Sequence, residues 1–191
     1  PFFIAKDSKQ MKKYKLHNNY KQILADTITP VSVYLKIRDK FPNSILLESS
    51  DYHANDNSFS YICFNPIASI KVENQKIETN FPDGFSEIIP INADLNVAKE
   101  IENFSNQFQT EKSDFKFITQ GLFGYLAYDA IQYFEKVSIA KKSIENEIPE
   151  IFYAVYQNII AINHFKNEAY LFCHSFDETN NITEIEQLLQ A

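Results

Sequence analysis

The side chains able to move protons, attack carbonyls or bind metals are scattered along this chain. Four histidines, His17, His53, His164 and His174, stand far apart, and none has a nucleophile at a signature spacing. His53 shares a polar stretch with Asp51 and reads as a solvated loop residue. Cys63 and Cys173 lie in apolar runs, without His or Cys partners at metal-ligand spacing, and read as reduced core thiols. Carboxylates are dispersed rather than paired. With three glycines in 191 residues there is no Gly-x-Gly-x-x-Gly and no phosphate-cradling loop. No catalytic set and no metal set is expected from these residues.

Two polar-ended segments still ask for a partner. The first is Leu46-Leu47-Glu48-Ser49, where an apolar strand-like run closes on a carboxylate and a hydroxyl. Such groups must pair or meet a ligand, since an unpaired buried polar group costs about 1–3 kcal/mol. Capping of a neighbouring element is the plainer use for them. The second is Gly121-Leu122-Phe123-Gly124-Tyr125-Leu126-Ala127-Tyr128-Asp129. Glycines inside a strand mark a bulge or a close backbone approach, and its tyrosines read first as packing.

The elements that must carry these segments follow from periodicity. Residues 14–25 suggest a first strand. Thr29 caps a helix with Pro30 at its first position, where the missing N–H is harmless; Pro42-Asn43 stops it. Residues 45–49 form a short strand and 51–58 a polar loop. Phe59 to Phe64 is a strand broken by Asn65-Pro66, and residues 67–72 and 77–79 flank a hairpin turn. Residues 80–91 look irregular. Asp94 caps a second helix whose apolar stripe is Val97, Ile101, Phe104 and Phe108. Phe117 to Tyr128 reads as a strand, Asp129 as the cap of a short helix, and 136–147 as a charged loop. Residues 151–162 form a long buried strand, 163–167 a turn, and 169–174 its antiparallel return. Thr183 and Glu186 make a capping box for a last helix. Hairpin-joined strands with few helices between them imply an α+β fold, mostly antiparallel β-sheet with a few flanking helices.

Composition bounds the function classes. Of the residues, 45% are hydrophobic, 15% aromatic and 23% charged, which supports a packed core. A net charge of −7 argues against a nucleic-acid partner. The exception is local, Lys6, Lys9, Lys12, Lys13 and Lys15, read as a solvated stretch. No apolar run approaches the roughly 18 residues that span a bilayer. Pro1 to Ala5 is too short for a signal-peptide core, so no membrane and a cytoplasmic location are expected. Met11 reads as a native start, which makes residues 1–10 a tag or leader remnant and 11–191 the domain.

The segments, in order, resemble the N-terminal region of anthranilate synthase component I. Thr29-Pro30-Val31-Ser32 resembles the family's Pro-containing helix entry, and Leu46-Leu47-Glu48-Ser49 its "LLES" motif. Phe59-Ser60-Tyr61-Ile62 is similar to its "YSFIG" strand, with Cys63 in place of the Gly. Gly124-Tyr125-Leu126-Ala127-Tyr128-Asp129 is similar to "GYxxYD", and Ile148-Pro149-Glu150 to its "PD" segment. The resemblance spans about residues 12–190.

That resemblance implies a protein converting chorismate and ammonia to anthranilate in tryptophan synthesis. Its lyase chemistry and Mg²⁺ belong to a C-terminal catalytic domain downstream of Ala191, and a glutamine amidotransferase subunit supplies the ammonia. It implies no catalytic residue, no metal and no cofactor within this chain, which should have no activity alone. It assigns tryptophan feedback binding to Pro30, Leu47, Glu48 and Ser49, with Ser58, Phe59 and Ser60 beside them. Two departures stand out: Ser58 and Phe59 occupy the place where relatives often carry a basic residue, and Gln132 replaces the arginine of "YDxxR". Two alternatives remain, the matching domain of aminodeoxychorismate synthase component I and a non-catalytic interaction module; the "LLES" form with Glu48 favours anthranilate synthase over the former.

Overall fold

The computed structural model describes residues 12–48, 58–137, 139 and 148–190. The expectations for residues 1–10 and Met11, for Ser49, for the loop with Asp51 and His53, and for most of 136–147 lie outside these residues.

Nine strands among the described residues form one mixed sheet: β1 (Tyr14–Leu24), β2 (Ile45–Leu47), β3 (Phe59–Glu73), β4 (Lys76–Asn80), β5 (Ser86–Pro90), β6 (Phe108–Thr110), β7 (Phe123–Leu126), β8 (Ile151–Asn163) and β9 (Glu168–Ser175). The order is β5-β4-β3-β8-β9-β1-β6, with β2 also beside β3 and β7 also beside β8. Every pairing is antiparallel except β1 with β6. Three α-helices flank it, α1 (Pro30–Arg38), α2 (Val97–Ser105) and α3 (Ile182–Gln190), with a 3-10 helix at Tyr128–Tyr133. The α+β expectation with a mostly antiparallel sheet is met.

Alternation along the strands sorts the core onto two faces. Ile62, Phe64, Ile160, Ile162 and Leu171 pack against Val33 and Ile37 of α1 and Ile185 of α3. The intervening residues Phe59, Ile159, Ala161, Tyr170 and Phe172 turn the other way and are crossed by Phe115 and Phe117. Phe117 lies 4.4 Å from Phe59 and 5.0 Å from Tyr170, ring centre to ring centre. A third cluster gathers Ile70, Val72, Ile77, Phe81 and Ile151 around Val97 and Phe104 of α2.

Several local expectations hold for their stated reasons. The Thr29 hydroxyl oxygen accepts from the Ser32 N–H at 3.2 Å with Pro30 opening α1. Cys63 and Cys173 are buried and unbridged, and burial pushes the Cys63 thiol well up from its usual range. A Cβ at Gly124 would collide with the Phe152 carbonyl oxygen, so this glycine marks a close backbone approach.

Other boundaries move. Asn65-Pro66 does not break β3: the strand runs through, with a register shift between Pro66 and Ala68 and Asn65 at φ 58°. A bulge absorbs both the missing proline N–H and the left-handed residue. Residues 86–90 form the edge strand β5, ending on Pro90 where no ladder donor is needed. Asn96, not Asp94, caps α2, accepting from the Lys99 N–H at 3.0 Å. Phe108 leaves the helical stripe to pair with Tyr14 in β6. Only Phe123–Leu126 of the 117–128 stretch is strand. Asp129 lies inside the 3-10 helix rather than capping it. Helix α3 begins at Ile182, so Thr183 is already helical, and the Asn181 carbonyl accepts from the Ile185 N–H at 3.1 Å.

Candidate functional site

The short strand β2 decides where Leu47 and Glu48 lie. It pairs antiparallel with β3, setting Ile45 opposite Cys63, Leu46 opposite Ile62 and Leu47 opposite Tyr61. Glu48 follows at the end of the ladder, on the side of Ser60 and Phe59. Both Leu47 and Glu48 are exposed, whereas Ser58, Phe59 and Ser60 are buried. Pro30 is buried at the first turn of α1, the helix that covers β2 and β3. The fold thus joins Leu47 and Glu48 to the Ser58–Ser60 segment and places Pro30 on the helix above the same strands. Ser49 lies outside the described residues.

Two of these residues are engaged by the chain itself. Phe59 is stacked on Phe117 and flanks Tyr61, whose ring centre is 6.1 Å away. Tyr61 in turn lies 5.8 Å from Phe123, and burial raises its phenol above the ordinary range. Ser60 is 1% exposed, and its Oγ is 2.7 Å from Nε2 of His164. The His164 backbone N–H also donates to the Ser58 carbonyl at 3.1 Å.

His164 belongs to the turn between β8 and β9. Asn163 Oδ1 accepts from the N–H groups of Phe165 and Lys166, both at 3.0 Å, which fixes that turn. The Asn167 carbonyl accepts from the Ala25 N–H at 2.7 Å, tying the segment that leads into Pro30 to the same turn. Sequence reasoning did not connect His164 to Ser60. They are 104 residues apart, and only the β3–β8 register brings them together.

The second motif builds a different surface. Gly124 lets β7 close on β8, with Tyr125 opposite Phe152 and Leu126 opposite Ile151. After it, the 3-10 helix is pinned by Glu150, which accepts from the Tyr133 hydroxyl at 2.6 Å and from Gln132 Nε2 at 3.1 Å. Gln132 therefore has a structural partner. An apolar groove of about 290 Å³ opens beside β7, lined by Ala98, Ile101, Leu122, Leu126, Phe134 and Tyr153.

His174 on β9 is buried, and loss of hydration holds its pKa down at about 4, so it is neutral at physiological pH. Among the described residues no three His, Cys, Asp or Glu side chains gather closely enough to hold a metal ion. No helix among them is long and apolar enough to cross a membrane.

Comparison with known proteins gives this geometry a family. A family model described as chorismate binding enzyme matches residues 43–191. Anthranilate synthase component 1 of Lactococcus lactis is 31% identical over 154 residues, 80% of this chain and 31% of that protein. The protein of the same name from Neisseria meningitidis is 28% identical over 159 residues, 81% of this chain and 31% of its own length. Among solved structures, anthranilate synthase component I from Streptococcus pneumoniae aligns with a TM-score of 0.48 at 22% identity, over 90% of this chain and 35% of that one. The chain spans about a third of the length of the curated relatives it matches. With more than half of its residues under the family model, the chain belongs to the chorismate binding enzyme family, where it is similar to anthranilate synthase component 1.

Proposed function

We propose that residues 11–191 are the N-terminal regulatory region of an anthranilate synthase component I, and that the corner between β2 and β3 contributes its tryptophan feedback site. The observation that carries this reading is the exposed Leu47-Glu48 end of β2, seated against Ser58–Ser60 in a chain of this family. Tryptophan presents an ammonium, a carboxylate and a flat apolar indole with one N–H donor. Glu48 offers the negative charge, Ser49 a compact hydroxyl, and Pro30 and Leu47 apolar walls. Pockets for such ligands are mostly apolar with a few placed polar groups.

In this reading chorismate, Mg²⁺ and the lyase chemistry belong to a C-terminal catalytic domain, as the family resemblance implies. A glutamine amidotransferase subunit supplies ammonia, and this region has no activity alone. Inhibition then requires that tryptophan bind one state of the whole protein more tightly than the other, because equal affinity shifts nothing.

The test is feedback inhibition of anthranilate formation by the full-length protein with its glutaminase. Ser49→Phe should fill the pocket, abolishing inhibition by tryptophan while leaving the uninhibited rate within about twofold, since no reacting group is touched. Unchanged inhibition would remove Ser49 from the site. Calorimetry showing no tryptophan binding to the wild-type protein would end the regulatory reading. A product other than anthranilate would favour the aminodeoxychorismate synthase alternative.

A further inference from the structure

We propose that the surface built by β7 and the 3-10 helix is where this region packs, lastingly, against the remainder of its own polypeptide. The assignment rests on the reading above for the presence of that remainder. It also gives a use to the motif that the feedback site leaves aside, Gly124 to Asp129.

Three observations carry it. First, exposed apolar side chains gather here. Leu126, Tyr128, Ile131, Phe134, Val137 and Ile148 are each 40% exposed or more. Leu126 and Phe134 line the groove of about 290 Å³, over a floor that includes Ile101 of α2 and Tyr153 of β8. Other exposed apolar residues, such as Ile88 on β5 or Val31 and Leu35 on α1, stand singly or in pairs. Scattered residues of that kind are ordinary on a protein surface, whereas a gathered patch marks a place of interaction.

Second, the surface is held in place before anything meets it. Gly124 lets β7 ladder onto β8. The Ala127 N–H donates to the Glu150 carbonyl at 2.8 Å, and the Glu150 N–H donates to the Val72 carbonyl at 2.9 Å. The Glu150 carboxylate accepts from Tyr133 and Gln132 of the 3-10 helix. Ala130, 1% exposed, seats that helix on the core, while Ile131 and Phe134 stay at the surface. A surface fixed in advance loses little freedom when it is covered.

Third, the chemistry of the groove selects its occupant. None of its lining residues is charged. Chorismate bears two carboxylates and tryptophan is a zwitterion, so neither finds a partner there; apolar side chains of a protein do. Interfaces that stay closed are more apolar than those that form and part. This chain spans about a third of the length of its curated relatives, and a segment joined through the backbone meets its neighbour at high effective concentration. The occupant is an apolar face of the rest of the same polypeptide.

The test is the rate at which introduced thiols are modified in the full-length protein without its glutaminase, read site by site by mass spectrometry. Leu126→Cys and Tyr128→Cys probe the patch, and Ile88→Cys, 63% exposed on the edge strand β5, is the reference. The native Cys63 and Cys173 are buried. Both patch thiols should react about tenfold or more slowly than the reference, because reaction then waits for the two parts to separate. Thermal melting checks each variant first, and Ile148→Cys carries the comparison if Leu126→Cys does not fold. Rates equal to the reference would overturn the assignment. So would protection that appears only when the glutaminase is added, which would make that subunit the occupant. Protection lost on dilution would point to a second copy and overturn it as well. Full-length protein that binds no tryptophan would end the feedback reading and leave the labelling result standing; fast labelling of a protein that tryptophan inhibits would overturn this assignment alone.

Discussion

The corner at β2–β3 and the corner at β7 both stand out in the sequence, and they work by opposite means. At the first, polar atoms are placed: Ser60 is tied to His164, Ser58 is held by a backbone N–H, and Glu48 is left at the surface. At the second, shape does the placing. Gly124 removes a side chain so that β7 can close on Phe152, and the chain beyond it presents Leu126, 50% exposed, to an apolar groove and leaves Tyr128 87% exposed. The difference teaches how to read a motif of mixed type. Glu48 at the end of a strand is placed by the register of a distant partner, β3. Gly-Tyr-x-x-Tyr-Asp signals backbone proximity at its glycine, with Tyr125 half-buried beside Phe152 and Tyr128 left in solvent.

The largest expected effect breaks the second corner. Gly124→Ala should destabilise the protein by about 3 kcal/mol or more, because the added methyl meets backbone that cannot rotate away. Denaturant melts would show the loss, and it should leave the Ser60–His164 corner intact. A variant as stable as wild type would mean that β7 shifts freely. The sheet between the corners should be the part most sensitive to acid. Loss of hydration holds the His174 pKa down at about 4 in the folded protein, against an ordinary value of 6.5. The unfolded chain therefore binds the extra proton between those values, and stability falls as pH drops from about 6.5 toward 4. The full loss is about 3 kcal/mol, and His174→Leu should flatten that part of the stability–pH curve. The smallest effect belongs to the first corner. Ser60→Ala should cost about 1 kcal/mol, one hydrogen bond, with a local change at His164 visible by NMR. A loss as large as that of Gly124→Ala would erase the contrast between the two corners.

Much of this was legible from local chemistry. The Thr29 cap, the hairpin at residues 73–76, and the β8–β9 pair with its 163–167 turn all follow from residue types within a few positions of each other. The close approach at Gly124 was legible as well. What escaped depends on distant partners. Strand β6 is three residues long and exists because Tyr14 to Leu16 lie parallel to it. Phe108 fits a helical stripe by spacing, yet it is drawn away to stack on Tyr14 at 5.7 Å. Asp94 and Asn96 are both good caps, and only the observed bond to Lys99 chooses between them. For the candidate site, Leu47, Glu48 and Ser60 could be picked out as residues, but His164 could not, because nothing near it in sequence points across the sheet.

The pairing of β1 with β9 carries a consequence for how the molecule is made. Eight consecutive residues, His17 to Leu24, are laddered to residues 168–175. Strand β1 therefore waits until β9 has been made before these backbone donors and acceptors are satisfied. Contacts so far apart in sequence slow folding and leave strand edges open during synthesis. Chaperone dependence should accordingly concentrate in the interval between translation of Leu24 and release of Ser175.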